Sequence, residues 1–99
     1  MARRARVTTW YARHFGGVVK AGSERSLAVA RTVPALTAAE ELPGTSDFEA
    51  SRKPIGRAWV RRVGGRNIWL WYRFDETEVM LVALTTEPPV PLDDEPSPG

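Results

Sequence analysis

Ninety-nine residues, 42% of them hydrophobic, suffice for one apolar core and are too few for two. The absence of cysteine excludes disulfides, thiol chemistry and Cys-based zinc sites, and no apolar run approaches the ~20 residues of a membrane span. The net charge of +2 conceals a partition: residues 1–73 carry all 14 basic side chains and five acidic ones, whereas residues 74–99 carry seven acidic residues and no basic one.

A basic body implies an anionic partner. Met1-Ala2-Arg3-Arg4 leads into mixed polar sequence rather than an apolar leader, so a soluble, cytoplasmic protein is expected. The stretch from Arg4 to Thr9 suits either a short edge strand or the first turn of a helix. Tyr11, Phe15, Val18 or Val19, and Gly22 then fall at helical spacing, with Thr9 as N-cap and Gly22 as stop, although Gly16-Gly17 weakens this helix. A second helical segment begins near Ser23, with Leu27, Val29, Ala30, Val33 and Leu36 as its apolar positions. Pro34 cannot donate to the carbonyl of residue 30, so a kink or restart is expected there. Thr37-Ala38-Ala39-Glu40 has capping-box spacing for a short final turn before Pro43-Gly44, and residues 44–56 are expected to form a loop.

Three strands follow over residues 58–63, 67–74 and 78–85, rich in β-branched and aromatic residues. Gly64-Gly65-Arg66 and Asp75-Glu76-Thr77 are short enough to join them as an antiparallel meander. The second and third strands are apolar on both faces, so both faces of the sheet need cover. From Glu87 onward proline and acidic residues predict an extended or disordered tail. The expected architecture is α+β, with two N-terminal helical segments packed on a three- or four-stranded antiparallel sheet. Residues 1–86 form its single domain and residues 87–99 an acidic, proline-rich tail.

The clearest chemical constellation is basic. Arg52, Lys53, Arg57, Arg61, Arg62, Arg66 and Arg73 lie within 22 residues, interleaved with Trp59, Trp69 and Trp71. Guanidinium forks match phosphate oxygens and aromatic faces stack on unpaired bases, which makes Arg57, Arg61, Arg62, Arg66 and Arg73 the candidate residues for binding nucleic acid or another target. The tryptophans are expected in the core. His14, the sole histidine, makes neither a metal site nor a nucleophile–base pair, and Gly64-Gly65 suits a hairpin rather than a phosphate cradle. Asp75, Glu76 and Glu78 belong to a turn. No metal or cofactor is expected.

The order of helix, helix, basic strand, hairpin, aromatic strand and apolar strand resembles the RelE/ParE family, the toxic half of bacterial type II toxin–antitoxin modules. The resemblance is strongest from Arg57 to Leu84, where Arg61-Arg62-Val63-Gly64 and Trp71-Tyr72-Arg73-Phe74-Asp75 are similar to that family's paired central strands. It implies a toxin neutralised by a cognate antitoxin and directed at ribosome-bound mRNA or at DNA gyrase, with metal-independent RNA cleavage in one branch. In that branch basic side chains hold the scissile phosphate, and a tyrosine or histidine near the end of the last strand assists proton transfer. Arg57, Arg61 and Arg62 fall in the region of the first basic cluster, and Arg73 follows the matching tyrosine. Two departures count against cleavage: Trp69 stands where the family carries arginine, and Thr85-Thr86-Glu87-Pro88 offers no arginine, histidine or tyrosine. Catalytic residues are therefore unassigned, and a gyrase-directed or non-catalytic toxin fits better. The alternative, from a different class, is a non-catalytic nucleic-acid- or protein-binding adaptor that uses the arginine-rich sheet. A third is a domain whose basic face docks a larger acidic subunit.

Overall fold

The computed structural model describes residues 2–18 and 22–92. Seven elements follow in chain order: β1 (Arg4–Val7), α1 (Thr9–Val18), α2 (Glu24–Ala38), β2 (Phe48–Arg52), β3 (Gly56–Arg62), β4 (Trp69–Phe74) and β5 (Glu78–Thr85). The strands form one mixed sheet of five in the order β1-β5-β4-β3-β2. This corrects the expected sheet of three or four antiparallel strands: β1 pairs parallel with β5, and the segment expected as a loop over 44–56 contains β2, antiparallel to β3. The helices are not N-terminal to the whole sheet, because β1 precedes them.

Both additional strands are edges. All four residues of β1 are exposed and only Ala50 of β2 is buried, so neither carries the apolar alternation that marks a half-buried strand. The run β3-β4-β5 pairs antiparallel in sequence order, with Trp59 opposite Tyr72 and Leu70 opposite Leu84. Gly64 and Gly65, both at positive φ (51° and 72°), allow the tight turn between β3 and β4 that a Cβ would disfavour. Asp75 builds the next turn: its Oδ1 accepts from the backbone N–H of Thr77 at 2.7 Å and of Glu78 at 2.8 Å. These hydrogen bonds hold its carboxyl below the usual carboxylate range.

The helix starts differ in detail from expectation. Thr8, one residue before the expected cap, accepts from the Tyr11 N–H at 3.1 Å and donates its own hydroxyl to the Val82 carbonyl at 2.7 Å. One side chain therefore starts α1 and fastens it to β5. The second helix begins near Ser23 as expected, and Ser23 caps it, accepting from the Ser26 N–H at 3.2 Å. Pro34 does not interrupt this helix, which runs unbroken to Ala38. Ala30, whose carbonyl loses its helical donor to Pro34, is an exposed residue, so the lost bond is not one taken from the core. The separate final turn over Thr37–Glu40 does not form, because residues 39–43 leave the helix.

Two apolar clusters sit on opposite faces of the sheet. Tyr11, Val29 and Leu36 from the helices pack with Val63, Ile68, Leu70, Tyr72, Val79, Leu81 and Leu84. The other face joins Ala50, Ile55, Ala58, Val60, Trp69, Trp71, Val82 and Ala83, drawn from strands and the β2–β3 turn alone. Trp71 is completely buried there. Its indole N–H donates to Thr85 Oγ1 at 2.9 Å, and the Arg52 guanidinium lies 5.8 Å above its ring. The start of the proline-rich segment turns back toward this region. Pro89 is buried, Pro91 bridges antiparallel to Ala50 on the outer edge of β2, and Glu87 lies 4.0 Å from Arg52. The acidic residues Asp93, Asp94 and Glu95 of the expected tail lie outside the described residues. No helix among the described residues is long and apolar enough to cross a membrane.

Residues 87–92 thus return to the sheet, with Pro89 buried and Pro91 bridged to Ala50 at the outer edge of β2. A chain ending at Thr86 is expected to lose several degrees of thermal midpoint relative to one ending at Leu92, since about 1 kcal/mol moves the midpoint of a domain this size by roughly 4–8 °C. Calorimetry on the two truncations checks this, and equal midpoints would mean that the segment contributes no cover.

Candidate anion-binding groove

The centre of the helix-side face holds one buried carboxylate. Asp47, at the end of the loop before β2, has a side chain fully withdrawn from solvent. Its two oxygens accept from Arg61 on β3, with Nε to Oδ1 at 2.7 Å and Nη2 to Oδ2 at 2.8 Å. Oδ2 also accepts from the Tyr72 hydroxyl on β4 and, at 2.9 Å, from the Gly44 N–H. Burial pushes the Asp47 carboxyl up, but the donors from Arg61, Tyr72 and Gly44 together outweigh it and hold the group below the usual carboxylate range. Tyr72 is driven strongly upward, first by burial and then by its bond to Asp47. Gly44 is required for close approach, since a Cβ there would collide with Arg61 Nη2 and crowd Asp47 Oδ2 at 3.1 Å.

The five sequence-predicted residues do not converge on one site. Arg57 pairs bidentately with Glu49 on the neighbouring strand, both bonds at 2.7 Å, and this holds the half-buried Glu49 carboxyl below its usual range. Arg73 donates to the backbone carbonyls of Arg57 (3.0 Å) and Ile55 (3.0 Å), clipping the β2–β3 turn onto β4. Arg61 is committed to Asp47, with 19% of its side chain exposed. Adjacent residues of a strand face opposite ways, and Arg62 accordingly lies over Trp69, 5.5 Å from the ring centre, on the other apolar cluster.

Arg61, Arg62 and Arg66 nevertheless border a common groove of about 380 Å³ between α2 and the β3–β4 hairpin. Its helix wall is Ala28, Arg31, Thr32 and Ala35. These positions, spaced i, i+3, i+4 and i+7, form a face of α2 separate from buried Val29 and Leu36, and the short Ala and Thr side chains leave the groove open. Arg31 was missed in the sequence because it stands on a helix, away from the basic run. The available signal was its place among small residues at helical spacing. Among the described residues Arg31 has no hydrogen-bond or ion-pair partner. Arg62 donates from Nε to the Arg66 carbonyl at 2.9 Å and from Nη2 to Asn67 Oδ1 at 3.2 Å, which fixes its head at the groove rim. Among the described residues the Arg66 guanidinium pairs with Glu24, at 3.5 Å, and 88% of that glutamate side chain is exposed.

The groove offers positive charge to an anion from Arg31, Arg62 and Arg66. Tyr72 is held by Asp47, and burial pushes Tyr11 up to about 12, so neither phenol exchanges a proton near neutrality. His14 sits on α1 beside Trp10, at 5.3 Å between ring centres, and does not line the groove. Among the described residues no group of three or more His, Cys, Asp or Glu is placed to hold a metal ion. No protein-family model, curated protein or solved structure matches this chain.

Breaking the central pair has a defined cost. Asp47→Ala leaves Arg61 largely buried without its counter-charge and is expected to destabilise the fold by about 3 kcal/mol, read as a lower urea midpoint at unchanged slope. Arg57→Ala, which removes an exposed partner, should leave the midpoint nearly unchanged. Because the folded carboxyl lies below its unfolded value of about 3.9, its contribution is fully present above that pH. It is lost as pH falls through the folded value, and Asp47→Asn should flatten the stability profile over that acid range.

Proposed function

We propose that the chain is the toxin half of a type II toxin–antitoxin pair of the RelE/ParE kind, acting by holding a partner rather than by cleaving RNA. One observation carries the second half of this reading: the polar side chains at the centre of the β3–β4 pair are spent on the Asp47–Arg61–Tyr72 knot, while arginines remain available in the groove beside it. A nuclease needs a side chain that gives or takes a proton within reach of the scissile phosphate. Tyr72, the tyrosine on which the resemblance rests, has its hydroxyl engaged and its ionisation driven far upward. The toxin half of the reading is supported by the strands from Arg57 to Leu84 that carry the resemblance. Gyrase is the target that fits a toxin acting by binding, with the cognate antitoxin as its second protein partner.

A non-catalytic adaptor is the second reading, favoured by the groove itself, which needs no toxicity to explain it. Induced expression in a bacterial host separates the two. The toxin reading expects growth arrest that is relieved by co-expressing the adjacent reading frame, with intact cellular mRNA and impaired supercoiling by purified gyrase. Absence of arrest would leave the adaptor. Cleaved mRNA that remains cleaved with Tyr72→Phe would remove the binding mode in favour of a nuclease that uses other residues.

A further inference from the structure

We infer that the groove between α2 and the β3–β4 hairpin is a docking site for an acidic, partly apolar segment of a partner protein, with Arg31 and Arg66 receiving its carboxylates. The inference rests on the binding mode proposed above and adds the place and the chemistry of the contact.

Three observations carry it. Arg31, Arg62 and Arg66 rim the groove, and a smaller recess of about 340 Å³ continues it past Arg31 and Arg66 toward Glu24 and Leu27. The surface between the arginines is apolar and small, formed by Ala28, Ala35 and Gly64, with Leu27 exposed at 52% where the recess begins. Glu24 already stands at Arg66 as a loose internal carboxylate, 3.5 Å away and almost fully solvated. An incoming carboxylate with apolar neighbours would replace it and desolvate the contact, which strengthens each charged hydrogen bond.

The same features disfavour single-stranded nucleic acid as the occupant. Sequence-tolerant binding of that kind uses exposed aromatic faces on which bases stack. Among the described residues no aromatic side chain lines this groove, and Trp69 is buried beneath Arg62. Short aliphatic side chains between guanidinium groups complement an acidic peptide, whose apolar residues have somewhere to rest and whose charges are opposite to the rim.

The probe is a short fluorescein-labelled peptide of alternating glutamate and leucine blocks, compared with a glutamine-for-glutamate version and with oligouridine, on the full chain at low and high salt. The wild-type chain should bind the glutamate peptide and not the glutamine one. The double variant Arg31→Ala, Arg66→Ala should weaken binding at least about fivefold, with the difference shrinking as salt rises. Glu24→Gln, which removes the internal competitor, should tighten binding about twofold to threefold. That is a gain a purely structural salt bridge would not produce. Both arginines lie on the surface, and an unchanged urea midpoint confirms that the variant is folded. Unchanged peptide affinity in the arginine variant overturns the inference, as does oligouridine binding more tightly than the peptide and being the affinity that is lost. Growth arrest that persists in a variant unable to bind the peptide would overturn the groove as the functional contact while leaving the toxin reading intact. Peptide binding without any arrest would do the reverse.

Discussion

The Asp47 carboxylate is the constraint around which the helix-side face is arranged. It draws the loop before β2 against β3 and β4, because Gly44, Arg61 and Tyr72 donate to its two oxygens from three different parts of the chain. Taking an ion pair out of water is costly, and it is tolerated when excellent geometry and further hydrogen bonds offset the desolvation. Here a bidentate fork, a phenol and a backbone N–H supply that geometry. The consequence for the groove is indirect and specific. With Arg61 pulled toward Asp47, its guanidinium closes one side of the groove as a fixed wall, and the mobile charge is left to Arg31 and Arg66.

A count of basic residues therefore overstates the charge on offer. Arg3 donates to the backbone carbonyls of Ala39 and Asp75, both at 2.8 Å, and joins the end of α2 to the β4–β5 turn. Arg73 and Arg61 do comparable work elsewhere, and Arg57 spends its fork on Glu49. These arginines act as staples because a guanidinium presents five donors in a rigid plane and can satisfy carbonyls that no strand or helix reaches. Nothing in the one-dimensional pattern separates a staple from a free arginine, since both follow the same alternation. The carboxylates that would have signalled the pairing, Asp47 and Glu49, stood in a stretch read as loop.

That stretch also explains the error in the sheet. The central strands were legible because β4 and β5 are buried on both faces and spell their apolar residues continuously. Phe48–Arg52 and Arg4–Val7 pair on one side only and bury one residue between them, so burial wrote almost nothing into their sequences. Their presence is decided by neighbours: β5 supplies an open edge for Arg4 to Val7, and the β2–β3 turn, fixed by Arg73, presents Phe48 to Arg52 to β3. Pro34 misled in the opposite direction. The rule that proline breaks a helix weighs most where the orphaned carbonyl is buried, and Ala30 is an exposed residue.

The two faces of the sheet are closed by different means, and this bears on where a partner can dock. The helix side is sealed by long apolar side chains and the Asp47 knot, while the other side relies on Trp71 and the stacked guanidinium of Arg52, with Pro91 bridging the outer edge of β2. Prolines suit that duty because they cover an edge without offering N–H groups for another strand to continue the ladder. With both faces and the outer edge of β2 occupied in this way, a cavity bordered by charge and small apolar residues persists between α2 and the β3–β4 hairpin. Its walls are a continuous helix and a hairpin turned on two glycines. Such elements fix the backbone that carries Arg31 and Arg66, so that in the proposed contact charge complementarity selects the partner.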